Sequence, residues 1–208
     1  MTEVFQSLSA TFSVLVSWEN CAVLLAIVYL LLIVRENILG WYCALVSSLI
    51  FAFLFWDVSL LMESALNVYY VVMAIYGWYQ WQLGGKGNSG VLIHTINFKQ
   101  HLLIIFAVVI LSFISGSLLG QNTDAAWPYI DSFTTWGSVA TTIMVTRKII
   151  ENWLYWLLID SVSIFLYIDR ALYSSAALFA VYLVIVVFGY FKWRQLLAEQ
   201  GRKLADVA

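Results

Sequence analysis

The sequence predicts an all-α integral membrane protein: seven transmembrane helices in two parallel three-helix repeats joined by a linker helix, after an N-terminal interfacial helix. Three observations predict it. Hydrophobic residues make up 63% of the 208 positions and charged residues 11%, too little charge to cover a soluble domain without one continuous apolar surface. Seven apolar runs approach the length of about 20 residues that a helix needs to cross the hydrocarbon. The early and late thirds of the chain also repeat one residue pattern.

Residues 1–19 hold no lysine or arginine, so they lack the positive start of a signal peptide. Phe5, Leu8, Phe12 and Leu15 recur at three- and four-residue steps, which predicts an amphipathic helix lying in the outer interface. Spans follow at 20–34, 38–56, 59–82, 101–119, 131–149, 152–168 and 171–193; the first is the shortest, its uninterrupted apolar run covering only 21–34. Charge placement sets the direction. With the N-terminus outside, Arg35, Lys86, Lys99, Arg147, Lys148, Lys192, Arg194, Arg202 and Lys203 fall on the cytoplasmic side and only Arg170 outside. The expected organisation is therefore an amphipathic segment (1–19), a first bundle (20–83), a loop and linker helix (84–130), a second bundle (131–193) and a solvated cytoplasmic tail (194–208).

The repeat shows when "ENILGWYCALVSSLI" (36–50) is laid on "ENWLYWLLIDSVSIF" (151–165). Glu36 then falls on Glu151, Asn37 on Asn152, Trp41 on Trp156 and Ser48 on Ser163. A turn three residues shorter brings Asp57 onto Asp169, Ala65 onto Ala177, Tyr70 onto Tyr182, Gly77 onto Gly189 and Trp81 onto Trp193. Three spans invert the chain and the unmatched fourth inverts it back, so the halves run parallel. That is one of the architectures of secondary transporters, in which solute is held near the midplane between the repeats.

Polar residues inside the spans mark a candidate site. A charged carboxylate at mid-helix costs at least about 2.5 kcal/mol to insert, so it faces a cavity or a partner. Asp160 shares a helix face with Trp153, Trp156, Ser163 and Tyr167, and Glu63, Asn67 and Tyr70 share one on the third span. Asp131, Thr134, Thr135, Ser138, Thr141 and Thr142 form a hydroxyl-rich stripe on the fifth. The substrate-binding set expected from these stripes is Glu63, Asn67, Tyr70, Thr134, Thr135, Ser138, Trp156, Asp160 and Tyr167, with Trp153 and Trp156 placed to gate the inner end. Helix packing is the competing reading for Ser47, Ser48, Thr141 and Thr142, snorkelling to water for Glu63, and a place in the aromatic belt for the two tryptophans. Carboxylates beside aromatic faces suit a flat, cationic, hydrogen-bonding solute.

Other classes fit less well. Cys21, Cys43, His94 and His101 do not have metal-ligand or disulfide spacing, and no cofactor is called for. A retinal protein needs a buried lysine, whereas every lysine here falls in a loop, tail or helix end. Asp160 and Glu63 lie in no GxGD-type motif, which weighs against an intramembrane aspartyl hydrolase, and net charge -2 gives no reason to expect nucleic acid. A structural or partner-binding membrane protein is the remaining competitor, one that would tolerate loss of Asp160, and the sequence leaves a homo-oligomer open.

The stretches "AIYGWYQW" (74–81), "DSFTTWGSVA" (131–140) and "TRKIIENWLYWLLIDSVSIFLY" (146–167), with WxxW at Trp153 and Trp156, resemble the PnuC family of bacterial vitamin transporters over nearly the whole chain from about residue 20. The resemblance implies a SWEET-like fold of two three-helix bundles joined by one helix, in the bacterial inner membrane. It also implies uptake by facilitated diffusion, with a cytosolic kinase trapping the solute; no GxxxxGK[ST] nucleotide motif is present in the chain. The family divides among nicotinamide riboside, thiamine and riboflavin carriers. Its riboside carriers commonly have glutamine where this chain has Asn67 and serine or asparagine where it has Ala74. A roomier, less polar wall favours thiamine, with nicotinamide riboside as the alternative.

Overall fold

The computed structural model describes residues 18–57, 61–123 and 126–205, so the amphipathic segment expected over 1–19 falls almost wholly outside it. Among the described residues there are seven α-helices: α1 Trp18–Val34, α2 Leu39–Asp57, α3 Leu61–Leu83, α4 Phe98–Asn122, α5 Pro128–Thr146, α6 Asn152–Asp169 and α7 Tyr173–Ala205. One 3-10 turn, Lys86–Asn88, follows α3.

Leu39–Asp57, Phe98–Asn122 and, within α7, Ser175–Lys203 are each long and apolar enough to cross a membrane. Helix α1 is as apolar but has 17 residues, a length of roughly 26 Å. The helices that fall short in hydropathy, α3, α5 and α6, are the three whose sequences carry the polar stripes. Helix α7 has 33 residues and continues past the span expected to end at 193, because the tail is rich in Leu, Ala, Gln, Arg and Lys, all good helix formers.

The chain divides into two compact units, residues up to Tyr79 and residues from Gln80. The break falls inside α3, one turn before the boundary expected at 83/84. Trp81 accounts for this: its indole N–H donates to the Val145 carbonyl at 3.2 Å and its ring lies 6.0 Å from that of Trp193, so the last turn of α3 is held by α5 and α7.

In the first unit α1 and α2 form a close pair. Gly40 sits against Leu32 and Ile33, and Ser47 donates to the Ala22 carbonyl at 2.8 Å. Helix α3 is tied to α2 by Ser64, which donates to the Ala52 carbonyl at 2.8 Å, and by Gly77, whose missing side chain leaves room for the Trp41 ring. In the second unit a reciprocal capping box of Asn97 and Gln100 starts α4. Gly116 then admits Tyr129, Gly137 admits Ile159 and Gly189 admits Trp153, which brings α4 to α5, α5 to α6 and α6 to α7. The loop ahead of α4 pairs with the α5–α6 turn: His94 N–H donates to Lys148 and Ile150 N–H to His94, a single parallel bridge.

The two repeats share one backbone register. Before α2, Glu36 N–H donates to Ile33, Asn37 to Leu32, Gly40 to Asn37 and Trp41 to Ile38; before α6, Lys148 donates to Val145, Ile149 to Met144, Asn152 to Ile149 and Trp153 to Ile150. Glu36 and Lys148 both adopt φ 53°, a left-handed conformation rare for such side chains. Every pair is related by one constant step, 36 to 148, and so are the ends of α1 and α5 and the ends of α2 and α6.

This corrects part of the sequence alignment. Asp57 on Asp169, Tyr70 on Tyr182, Gly77 on Gly189 and Trp81 on Trp193 keep the constant step, but Glu36 on Glu151 and Trp41 on Trp156 are three residues out, and no shortened turn is needed. The counterpart of Trp41 is Trp153, since each fills the space over the matched glycine. The counterpart of Asp160 is Ser48. Three residues is close to one helical turn, so identities in apolar helices survive a slip of that size.

Candidate functional site

In the first unit, Glu63 is exposed in the first turn of α3, and Asn67, half-buried, donates its side-chain amide to the Glu63 carbonyl at 2.9 Å. Tyr70 is half-buried, its ring 5.6 Å from that of Tyr69. Ala74 is buried and lines an apolar groove with Trp41, Tyr42, Leu45, Ile75 and Trp78. The second unit holds the matching groove, lined among others by Trp153, Leu154, Leu157, Val186, Val187 and Tyr190, each one repeat step from its mate. The small apolar side chain at residue 74 is therefore accounted for by packing in this groove.

In the second unit the hydroxyls of α5 donate to their own helix. Thr134 and Thr135 both bond the Asp131 carbonyl at 2.9 Å, Thr141 bonds that of Gly137 at 2.7 Å and Thr142 that of Ser138 at 2.8 Å. Each hydroxyl is thereby satisfied as a donor within α5 and keeps acceptor capacity, and Thr141 and Thr142 are buried in the protein. Ser138 and Thr134 are half-buried and Thr135 is exposed. Asp131 itself is paired with Arg170, and the Trp127 indole donates to Asp169 at 2.7 Å.

Asp160 is 3% exposed and has no hydrogen bond or ion pair among the described residues. The Tyr167 and Phe179 rings lie 5.1 Å apart and the Phe179 and Tyr182 rings 5.5 Å apart, so one aromatic run links α6 and α7. The structure thus brings Tyr167 together with two residues outside the expected set, Phe179 and Tyr182. The signal for Tyr182 was its match to Tyr70 in the repeat; Phe179 gave none, because its counterpart is Asn67.

The two WxxW tryptophans differ. Trp156 is half-buried, whereas Trp153 is 1% exposed, packed on Gly189 and edge-on to Trp193 at 5.3 Å. Any gating by Trp153 would move with the α6–α7 pair, since its ring has no room to swing. The Trp153–Trp193–Trp81 run ends under Lys148, whose ammonium lies 4.5 Å above the Trp81 ring. His101 of α4 meets the Tyr155 hydroxyl of α6 at 2.9 Å.

A duplicated three-helix unit, a linker helix and a buried carboxylate on an otherwise apolar helix define a class: helical membrane proteins of the secondary-transporter type. The family model described as nicotinamide mononucleotide transporter matches residues 16–195. The chain belongs to this family, the PnuC family of transporters. It is 23% identical over 193 residues to the nicotinamide riboside transporter PnuC of Escherichia coli, covering 81% of each chain. It is 24% identical over 173 residues to the riboflavin/roseoflavin transporter RibM of Streptomyces davaonensis, covering 82% of this chain and 81% of the relative. A crystal structure of the vitamin B3 transporter PnuC shares the fold, with TM-score 0.71 and 20% identity over 94% of this chain and 89% of that one.

Proposed function

We propose that this PnuC-type transporter carries a cationic, hydrogen-bonding vitamin precursor, nicotinamide riboside in the first place, across the bacterial inner membrane by facilitated diffusion. Asp160 carries the reading: a carboxylate buried to 3% exposure without an ion pair among the described residues carries a desolvation cost, of several kcal/mol. A pyridinium solute offsets that cost by acting as its counterion. The names of the Escherichia coli and Haemophilus influenzae relatives support nicotinamide riboside. The further candidates for contact with the solute are Glu63, Asn67 and Tyr70 within the first unit and, within the second, Thr134, Thr135, Ser138, Trp156 and Tyr167, with Trp153 and Trp156 as candidates for the inner gate. The N-terminus is outside and the C-terminus cytoplasmic, and phosphorylation by a cytosolic kinase keeps the solute in the cell.

Thiamine is the second reading, favoured by Asn67, which is one methylene shorter than the glutamine of riboside carriers. Its thiazolium would satisfy Asp160 equally. The test is uptake of labelled nicotinamide riboside into vesicles holding the purified protein, with thiamine as competitor and Asp160→Asn as control. Saturable riboside uptake, abolished by Asp160→Asn and weakly inhibited by thiamine, is expected. Strong inhibition by thiamine moves the assignment to thiamine, uptake driven by an imposed proton or sodium gradient removes facilitated diffusion, and uptake of neither solute removes the reading.

A further inference from the structure

The α6–α7 pair has an apolar groove of about 200 Å³, lined among others by Leu157, Val187, Tyr190 and Phe191. It opens away from the pair, since Leu157 is 38% exposed, Val187 42% and Phe191 55%. Pockets that hold ring-bearing solutes start at about 300 Å³ and carry several polar groups. A slot this small and this apolar suits a single hydrocarbon chain.

Beyond the groove α7 becomes charged. Trp193 is fully buried, edge-on to Trp153 at 5.3 Å, which fixes the rotation of α7 and leaves its neighbours Lys192 and Arg194 exposed. Arg194 follows Val187, Tyr190 and Phe191 by seven, four and three residues, so it stands on the groove's side of the helix, one turn nearer its end. Neither cation has a hydrogen bond or ion pair among the described residues. The carboxylates nearest in sequence do not pair with them. Glu151, ahead of α6, accepts the Ile96 N–H at 3.3 Å, and Glu199 lies roughly 140° around α7 from Arg194. The constant repeat step sets Lys192 and Arg194 against Gln80 and Gln82 of the first repeat, so nothing common to the two copies calls for the charge.

An apolar slot that ends at two unpaired cations is complementary to a molecule with a hydrocarbon chain and an anionic head. We propose that the α6–α7 groove seats one acyl chain of an anionic phospholipid, with the lipid phosphate at Arg194 and Lys192. On the orientation proposed for the chain the site belongs to the cytoplasmic leaflet, whose anionic lipids attract basic residues next to a span. Leu157, Lys192 and Arg194 are assigned neither to the solute nor to the gate, so the lipid site stands whichever vitamin is carried.

The test is native mass spectrometry of the purified full chain titrated with dioleoyl phosphatidylglycerol or with dioleoyl phosphatidylcholine, which has the same chains and no net charge. The wild type is expected to hold one phosphatidylglycerol about fivefold or more tighter than phosphatidylcholine. Lys192→Gln with Arg194→Gln, which installs the first repeat's residues, should bring that ratio close to one. Leu157→Trp, which fills the slot, should weaken both lipids about tenfold, and Leu157→Phe gives the same readout if the tryptophan variant does not fold. Leu45→Trp, the matched change in the first unit's groove, should leave the phosphatidylglycerol preference as it is.

A ratio near one in the wild type, or a preference kept by the double glutamine variant, overturns the proposal. Binding of both lipids untouched by the folded Leu157 variants overturns it as well, because the cations would then hold a head without a seated chain. A dimer in place of the lipid complex, lost in Leu157→Trp, would show that a second copy covers the groove and would equally overturn it.

Discussion

Gly189→Ala would test the contact that anchors the second repeat. A Cβ built on Gly189 falls 2.6 Å from Cζ3 and 2.7 Å from Cη2 of Trp153, against the 3.5–4.0 Å at which carbon atoms rest, so about 1 Å must be found. The indole cannot yield it by rotating, because it is 1% exposed and held edge-on by Trp193 at 5.3 Å. Helices α6 and α7 must separate instead. Overpacking of this kind costs about 1–3 kcal/mol, which in a chain of this size lowers the melting temperature by roughly 2–4 °C per kcal/mol. Thermal melts in detergent would measure it, with Trp153→Phe as the second arm of a double-mutant cycle. The smaller ring should restore most of the loss, and Trp156→Phe should restore none. A loss below about 0.5 kcal/mol, or rescue by Trp156→Phe in place of Trp153→Phe, would refute both the contact and the corrected register. The same cycle on Gly77 and Trp41, where the clash would be 2.4 Å, should behave alike.

Asp160→Asn removes a buried charge while keeping the shape, so the melting temperature should hold or rise while affinity for a cationic solute falls about tenfold or more, as read by calorimetry and melting on one preparation; loss of both would mean that the carboxylate is structural. Asn97→Ala removes the half of the box in which the Asn97 side chain accepts from the Gln100 N–H and should cost about 1 kcal/mol, measured as a lower melting temperature with unchanged solute affinity. Lys148→Asn tolerates the left-handed backbone at φ 53° but loses the cation over Trp81, a loss of about 0.5–2 kcal/mol that Trp81→Leu should abolish in a double-mutant cycle.

The helices were legible because membrane spans declare themselves by composition, and the repeat because tryptophan, glycine and aspartate recur. What could not be read was the register in the first half of each repeat. "EN" at 36 and at 151 is an identity one turn out of place, and only the hydrogen bonds around Glu36 and Lys148 show it. The partners of Trp81 were not legible for a similar reason: Trp81 is local to α3 in sequence, but Val145 and Trp193 are not. Burial of Asp160 was legible from its apolar neighbours. The packing of Tyr167 with the α7 rings was not, since Phe179 lies in a span already rich in apolar residues, where nothing in the sequence separates a packed ring from a lipid-facing one.

Comparison of matched positions separates what the duplication kept from what it let diverge. Gly77 and Gly189, Trp41 and Trp153, Trp81 and Trp193, and the left-handed turn residues Glu36 and Lys148 keep either identity or backbone conformation. Each of the first two pairs makes its contact inside its own repeat, so each copy must retain both members to fold. Ser48 against Asp160, Asn67 against Phe179 and Tyr29 against Thr141 differ in charge, polarity or size at positions where helices overlay. Packing that works with serine in one copy does not demand aspartate in the other, so folding does not explain the difference. The role proposed for Asp160, counterion to a cationic solute, would account for it and asks nothing of Ser48. On that ground Ser48→Asp, which buries an unpaired carboxylate in the first unit, should lower the melting temperature without raising affinity for a cationic solute, and a rise in affinity would refute the assignment of the counterion to Asp160 alone.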